Sequence, residues 1–187
     1  AVGELRHAGA GPRPPVRAVL FDRDGTLVED VPYNNDPDKV VPRPGATEAV
    51  ALAREHGLAV GVVTNQSGVG RGLLTERELA AVNDRVEALL GPFDLWQVCP
   101  HVDEDGCSCR KPRPGMLIDA AERLGVHPAE CAEVGDIGAD VQAASAVGAR
   151  GVLVPTPLTR SDERLEAPEV ATDPLAALVT LIGRAAL

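Results

Sequence analysis

The sequence predicts an α/β fold in which an open, all-parallel sheet lies between two layers of helices. Three observations predict it. Short β-branched apolar runs alternate with longer segments of helical period, the pattern of repeated strand–helix–strand units. Glycines stand where four of the helical segments stop, at Gly57, Gly91, Gly125 and Gly148, the place a helix C-cap favours. Clusters of Asp, Asn and Thr directly follow three of the strands, and in an open parallel sheet ligands bind beyond the carboxyl ends of the strands.

Taken in order, residues 1–15 (AVGELRHAGAGPRPP) are rich in Gly, Pro and Arg. They lack the apolar segment behind a basic start that marks a secretory signal, so they read as a flexible leader before one domain at 16–187. The first strand is 17–21 (RAVLF), closed by Asp22-Arg23-Asp24-Gly25-Thr26, and the first helix is 45–56. The second strand, 59–64 (AVGVVT), runs into Asn65-Gln66-Ser67, and a helix at 75–90 opens on Thr75 with Glu78 three residues on, a capping box. A third strand at 95–99, a helix at 115–124, a fourth strand at 132–135 ending in Asp136, and a helix at 139–147 follow. The fifth strand is 151–154, residues 156–168 form a polar connection bounded by prolines, and a last helix covers 173–185. The whole is a three-layer, Rossmann-like parallel sheet, and the segments between these elements leave no room for a large cap domain.

Composition narrows the function. The chain has 187 residues, 44% of them hydrophobic and 25% charged, which fits one globular domain and excludes a disordered or fibrous one. Its formal charge of −10 opposes the basic surface that nucleic acid demands. No apolar run approaches the roughly 20 residues of a membrane span. Four cysteines do not make a disulfide scaffold at this size, and without an export signal the expected compartment is the cytoplasm, where thiols stay reduced.

The chemistry lies at the strand ends. Residues i and i+2 of an extended chain point the same way, so Asp22 and Asp24 share one cleft. Like charges that close, with Asp136 beside them, call for a cation, and a hard ion held by oxygens, Mg²⁺, is the economical one. One carboxylate can then attack a metal-held phosphate while its neighbour serves as acid and base. An Asp-x-Asp-Gly-Thr run alone would be a solvated turn; its position behind a buried-strand pattern argues otherwise. Thr64 and Asn65 offer a hydroxyl and an amide to phosphate oxygens, and Arg110-Lys111 is an anion-binding pair in an otherwise acidic chain. The glycines at 68, 70 and 72 fit neither a dinucleotide fingerprint nor a P-loop. Cys99, His101, Cys107 and Cys109 form a Cys₃His set suited to structural Zn²⁺, although their x₁ spacing is tighter than that of a standard finger. Cys131 reads as a buried thiol, and His7, His56 and His127 as solvated or capping groups.

Together, Asp22-Arg23-Asp24-Gly25-Thr26, Thr64-Asn65-Gln66-Ser67-Gly68, Arg110-Lys111-Pro112 and Gly135-Asp136 with Asp140 resemble the four motifs of the haloacid dehalogenase superfamily of phosphatases. The resemblance spans about residues 18–154. Within the superfamily, the TNQSG run, the zinc loop and Arg-Lys-Pro-Arg-Pro-Gly-Met are similar to the D-glycero-D-manno-heptose-1,7-bisphosphate phosphatases; the histidinol-phosphate phosphatase branch shares the zinc loop. The resemblance implies Asp22 as nucleophile through an aspartyl-phosphate and Asp24 as acid and base. It implies Mg²⁺ on the Asp22 and Asp136 carboxylates and the Asp24 carbonyl, with Thr64 and Lys111 on the phosphoryl group. Arg110, Asn65, Gln66 and Ser67, and the loop of Asp30, Val31, Pro32 and Tyr33, would contact a phosphorylated sugar substrate, and the enzyme would work as a monomer. Two departures bear on substrate. Only five residues separate His101 from Cys107, as in the histidinol branch, and Ile137 stands where some relatives carry a polar residue. A phospho-ligand binding module without turnover and a zinc-organised interaction module are the alternatives from other classes.

Overall fold

The computed structural model describes residues 12–183. Five strands, β1 (Ala18–Phe21), β2 (Ala59–Asn65), β3 (Leu95–Cys99), β4 (Cys131–Gly135) and β5 (Arg150–Leu153), alternate with helices α1 (Ala46–Glu55), α2 (Glu76–Leu90), α3 (Gly115–Leu124) and α4 (Gly138–Ala146). Two further helices, α5 (Ser161–Glu166) and α6 (Pro174–Ile182), close the order. The strands form one parallel sheet in the order β3-β2-β1-β4-β5. The register sets Val19 beside Val60 on one side and Ala132 on the other.

Alternation along β1 divides the core. Val19 and Phe21 face α1, α2 and α6 through Val50, Val86 and Leu178. Ala18 and Leu20 face α3 and α4 through Met116, Leu117 and Ala143. With aromatics at 2% of the chain, small and β-branched side chains make this three-layer packing. The chain runs outward from β1 through β2 to β3, then returns across the sheet to β4 on the other flank of β1. That reversal opens a crevice beyond the carboxyl ends of β1 and β4. The insert from β1 to α1 carries only a 3₁₀ turn at Pro37–Lys39, so among the described residues no cap domain covers the crevice.

The strands and five longer helices match the expected ones to within a residue or so, the last excepted. It ends at Ile182, short of the expected 185, whose final residues lie outside the described ones, as do His7 and most of the expected leader. The Thr75–Glu78 capping box is present, and Gly125 caps α3 with φ 66°. Gly91 differs: it caps α2 in extended conformation, φ −76°. A Cβ there would lie 2.5 Å from the Glu87 carbonyl oxygen, so close approach rather than left-handed backbone requires the glycine. The 156–168 segment is not merely a connection, because it contains α5. That helix has no apolar stripe, with Leu165 86% exposed, and is held by its ends: the Arg160 amide donates to Glu163 and the Arg164 guanidinium to the Thr156 carbonyl. His127 is a capping group, its Nδ1 accepting the Ala129 amide, and Cys131 is buried. Among the described residues, no helix is long and apolar enough to cross a membrane.

Candidate active site

The first polar cluster turns sharply out of β1. Gly25 has φ 79°, and a Cβ there would sit 2.3 Å from Asp136 Oδ2, so only glycine lets this turn pass against the β4 loop. The turn leaves Asp22 and Asp24 lining a cleft of about 330 Å³ together with Asp136 and Lys111. Asp30, Val31, Pro32, Tyr33, Asn65, Gln66 and Ser67 line it too. Thr64 lies just beneath, buried, where its hydroxyl accepts Gln66 Nε2 at 2.9 Å. A larger hollow of about 610 Å³ along α6 offers one acid, Asp173, which is already used to cap that helix.

Asp24 is clamped. Both its carboxyl oxygens accept from the Arg23 guanidinium at 3.0 Å, and Oδ2 also accepts Gln66 Nε2 at 2.8 Å. Arg23 is 1% exposed and donates its remaining arm to Asn83 Oδ1 of α2 at 2.6 Å. Asn65 bridges β2 to the Lys111 loop, its amide exchanging two 3.0 Å hydrogen bonds with the Lys111 backbone. Lys111 Nζ then reaches Val63 O at 2.7 Å, Glu133 Oε1 at 3.0 Å and Asp22 Oδ1 at 3.3 Å, with Asp140 Oδ1 at 2.7 Å. Thr159 donates to the Asp136 carbonyl at 2.6 Å, tying the β4 loop to the segment before α5.

The electrostatics are those of a site short of positive charge. Burial pushes the Asp136 carboxyl up to about 9, with Asp22 and Asp140 adding to the rise. Asp22 is pushed up to about 7, again chiefly by burial, although Lys111 pulls the other way. Carboxylate oxygens of Asp22, Asp136 and Asp140 lie within 4.8 Å of one another. A hard, oxygen-seeking divalent ion fits this donor set and relieves the repulsion. Burial likewise raises Asp30, with Asp24 contributing.

Cys99, His101, Cys107 and Cys109 also converge. Cys99 Sγ is 3.8 Å from Cys107 Sγ and 3.6 Å from His101 Nδ1, near the edges of about 3.8 and 3.6 Å that a tetrahedral zinc with such ligands would give. Cys109 Sγ sits closer, 3.0 Å from Cys99 and 3.2 Å from His101. Burial raises the Cys107 thiol, but the Arg110 amide and the two neighbouring thiols bring it down to about 6. Burial pushes Cys99 up to about 12, and its hydrogen bond with Cys109 adds to this.

Arg110 is an expected site residue that does not line the cleft. Its Nε donates to Asp103 Oδ1 at 3.0 Å and its NH1 to His101 O at 3.4 Å, outside the residues lining the cleft. Sequence reasoning passed over Arg23, Asn83 and Glu133, and quoted Asp140 without giving it a task. Glu133 carried a signal, a charge inside the apolar run of β4; Asn83 carried none.

A protein-family profile described as HAD-hydrolase-like matches residues 108–180. The D-glycero-β-D-manno-heptose-1,7-bisphosphate 7-phosphatase of Bordetella bronchiseptica is 38% identical over 146 residues, covering 75% of this chain and 82% of the relative. The chain belongs to this family of HAD-like phosphatases. The family's enzyme from Pseudomonas aeruginosa is 39% identical over 143 residues, with 74% of this chain and 80% of the relative covered. Its crystallised member from B. bronchiseptica, a D,D-heptose 1,7-bisphosphate phosphatase complexed with magnesium and phosphate, superimposes with a TM-score of 0.80 at 34% identity. That match covers 89% of this chain and 98% of that one. A HAD-like phosphatase structure from Mesorhizobium loti gives 0.69 at 36% identity, covering 92% and 91%. Family membership makes the chain a phosphatase and makes the acid-lined cleft its candidate catalytic centre.

Proposed function

We propose that this phosphatase removes the C7 phosphate of D-glycero-D-manno-heptose 1,7-bisphosphate. The observation that carries the reading is the meeting of Asp22, Asp24, Lys111 and Asp136 in one cleft, in a chain whose relatives are phosphatases of that substrate. Asp22 attacks phosphorus, the bond from phosphorus to the sugar oxygen breaks, and that oxygen takes a proton from Asp24. A water then attacks the aspartyl-phosphate and gives its proton to Asp24, and phosphate leaves with Asp22 restored. Thr64 and Lys111 meet the phosphoryl oxygens, so the residues supply mainly position and charge. Asp22 and Asp136, with the Asp24 carbonyl, would hold Mg²⁺, and Asp140 stands close enough to join them. The ion would offset the charge that these carboxylates and the phosphoryl oxygens share. Asp30–Tyr33 and Asn65–Ser67 would grip the sugar.

Zinc in the Cys99–His101–Cys107–Cys109 cluster would fix the loop that carries Arg110 and Lys111. Residues 16–187 would act as one monomeric domain in the cytoplasm, which suits four cysteines outside any disulfide. One observation favours a second substrate, histidinol phosphate: Arg110 is engaged by Asp103, and among the described residues Lys111 is the one cation lining the cleft. Phosphate release with Mg²⁺ from the two substrates at matched concentrations tests the assignment. A large preference for the bisphosphate is expected; a preference for histidinol phosphate would move the enzyme to the other branch, and no release from either would overturn both.

A further inference from the structure

Glu133 sits in mid-strand on β4 beside Leu20 of β1 and Gly151 of β5, 1% exposed. An ionisable side chain there is costly unless it is used. Its Oε2 has no hydrogen-bond partner, so its hydrogen bonding among the described residues goes to Lys111 through Oε1. A lysine ammonium has three N–H groups, and three acceptors are aligned on Lys111: Val63 O, Glu133 Oε1 and Asp22 Oδ1. The first two belong to the floor of the cleft, on β2 and β4. They take two N–H groups at 2.7 and 3.0 Å. The third is left for the cleft side, where it makes the longest of the three contacts, 3.3 Å to Asp22. Asp140 Oδ1 lies 2.7 Å from Nζ yet without an aligned hydrogen bond, a position the ammonium would turn toward if its footing went.

From this we infer that Glu133 is a positioning residue: with the Val63 carbonyl it pins Lys111 from beneath, so that a single N–H faces the nucleophile and the incoming phosphoryl group. What matters is an acceptor atom at the reach of Oε1. The charge matters less, since burial pushes this carboxyl up to about 8 and a protonated carboxyl still presents an accepting oxygen. The inference rests on the phosphatase reading of the same cleft.

Two substitutions separate reach from charge. Glu133→Gln keeps the acceptor and removes the ionisable group, whereas Glu133→Asp keeps the carboxyl and withdraws it by one methylene. The Asp variant is expected to lose about tenfold or more in kcat with KM changed by less than about threefold, and the Gln variant to stay within about threefold of the parent. An Asp variant with parental kcat, or a Gln variant that falls as far, would overturn the inference. So would equal losses in both that track a lower Tm. Crystals of the parent and the two variants give a reading independent of turnover. Lys111 Nζ should keep its place beside Asp22 with Gln and move away with Asp. Nζ unmoved in the Asp variant overturns the positioning role; a parent that releases no phosphate overturns the phosphatase reading instead.

Discussion

At the scale of single residues, the groups proposed to do chemistry in the cleft differ from the groups that hold them. Asp22 is raised chiefly by burial, with Asp140 and Asp24 adding to the rise against the pull of Lys111, so Asp22→Asn relieves desolvation and repulsion while removing the proposed nucleophile. Turnover should fall at least about a thousandfold, with Tm unchanged or higher; retained activity by phosphate release would exclude covalent chemistry at this position. Arg23 is the opposite kind of residue. Its guanidinium is buried, and it holds both oxygens of Asp24 and the Asn83 side chain. Arg23→Met leaves Asp24 without its clamp and Asn83 without its donor. Breaking a fully buried pair costs about 3–5 kcal/mol, and the water that reaches Asp24, a quarter exposed, lowers the expected cost to about 2–3 kcal/mol. Urea unfolding of the variant measures it, and a parental unfolding midpoint would show that the clamp contributes nothing.

At the scale of elements, strand ends place the acids and the loop after β3 places the cations. Cys107→Ser should remove the metal and loosen that loop, because zinc-binding energy is folding energy for the segment it closes. Metal analysis should fall from about one zinc per chain to near zero. Activity should drop with it, and Tm by about 10 °C; full zinc content in the variant would remove Cys107 from the ligand set. What could be read from the sequence follows the same division. β1 and β2 were legible because their apolar runs stop abruptly at polar clusters, and the meeting of Cys99, His101, Cys107 and Cys109 because all four fall within eleven residues. α5 was not, since its Leu165 faces solvent and leaves no period to read. Arg23 and Asn83 stand sixty positions apart and meet only when α2 packs beside β1. Arg110 looked like an anion ligand beside Lys111, yet the acids just upstream in its own loop include Asp103, the partner it takes.

For the whole molecule, the site predicts that stability depends on pH and on magnesium together. The folded chain holds the Asp136, Glu133 and Asp22 carboxyls near 9, 8 and 7, against ordinary values of 3.8, 4.5 and 3.8. Between those limits the unfolded chain has released protons that the folded chain keeps, so the stability of the metal-free protein falls as pH rises. This is the reverse of an ordinary ion-paired carboxylate, whose contribution is lost on acidification. A divalent cation held by these carboxylates would bind their ionised forms and stabilise the fold by mass action, and would do so more where those groups have lost their protons. Tm should therefore decline between about pH 6 and 8.5 in protein dialysed free of magnesium, and the decline should flatten with millimolar Mg²⁺ present. Dialysis is preferred to a chelator because a chelator would also strip the thiolate cluster and unsettle the Lys111 loop. Parallel curves with and without Mg²⁺ would mean that the ion does not bind where Asp22, Asp136 and Asp140 converge. A convergence of the two curves at the acidic end, with their widest separation at the alkaline end, would tie the cation to the ionised acids of the strand-end crevice.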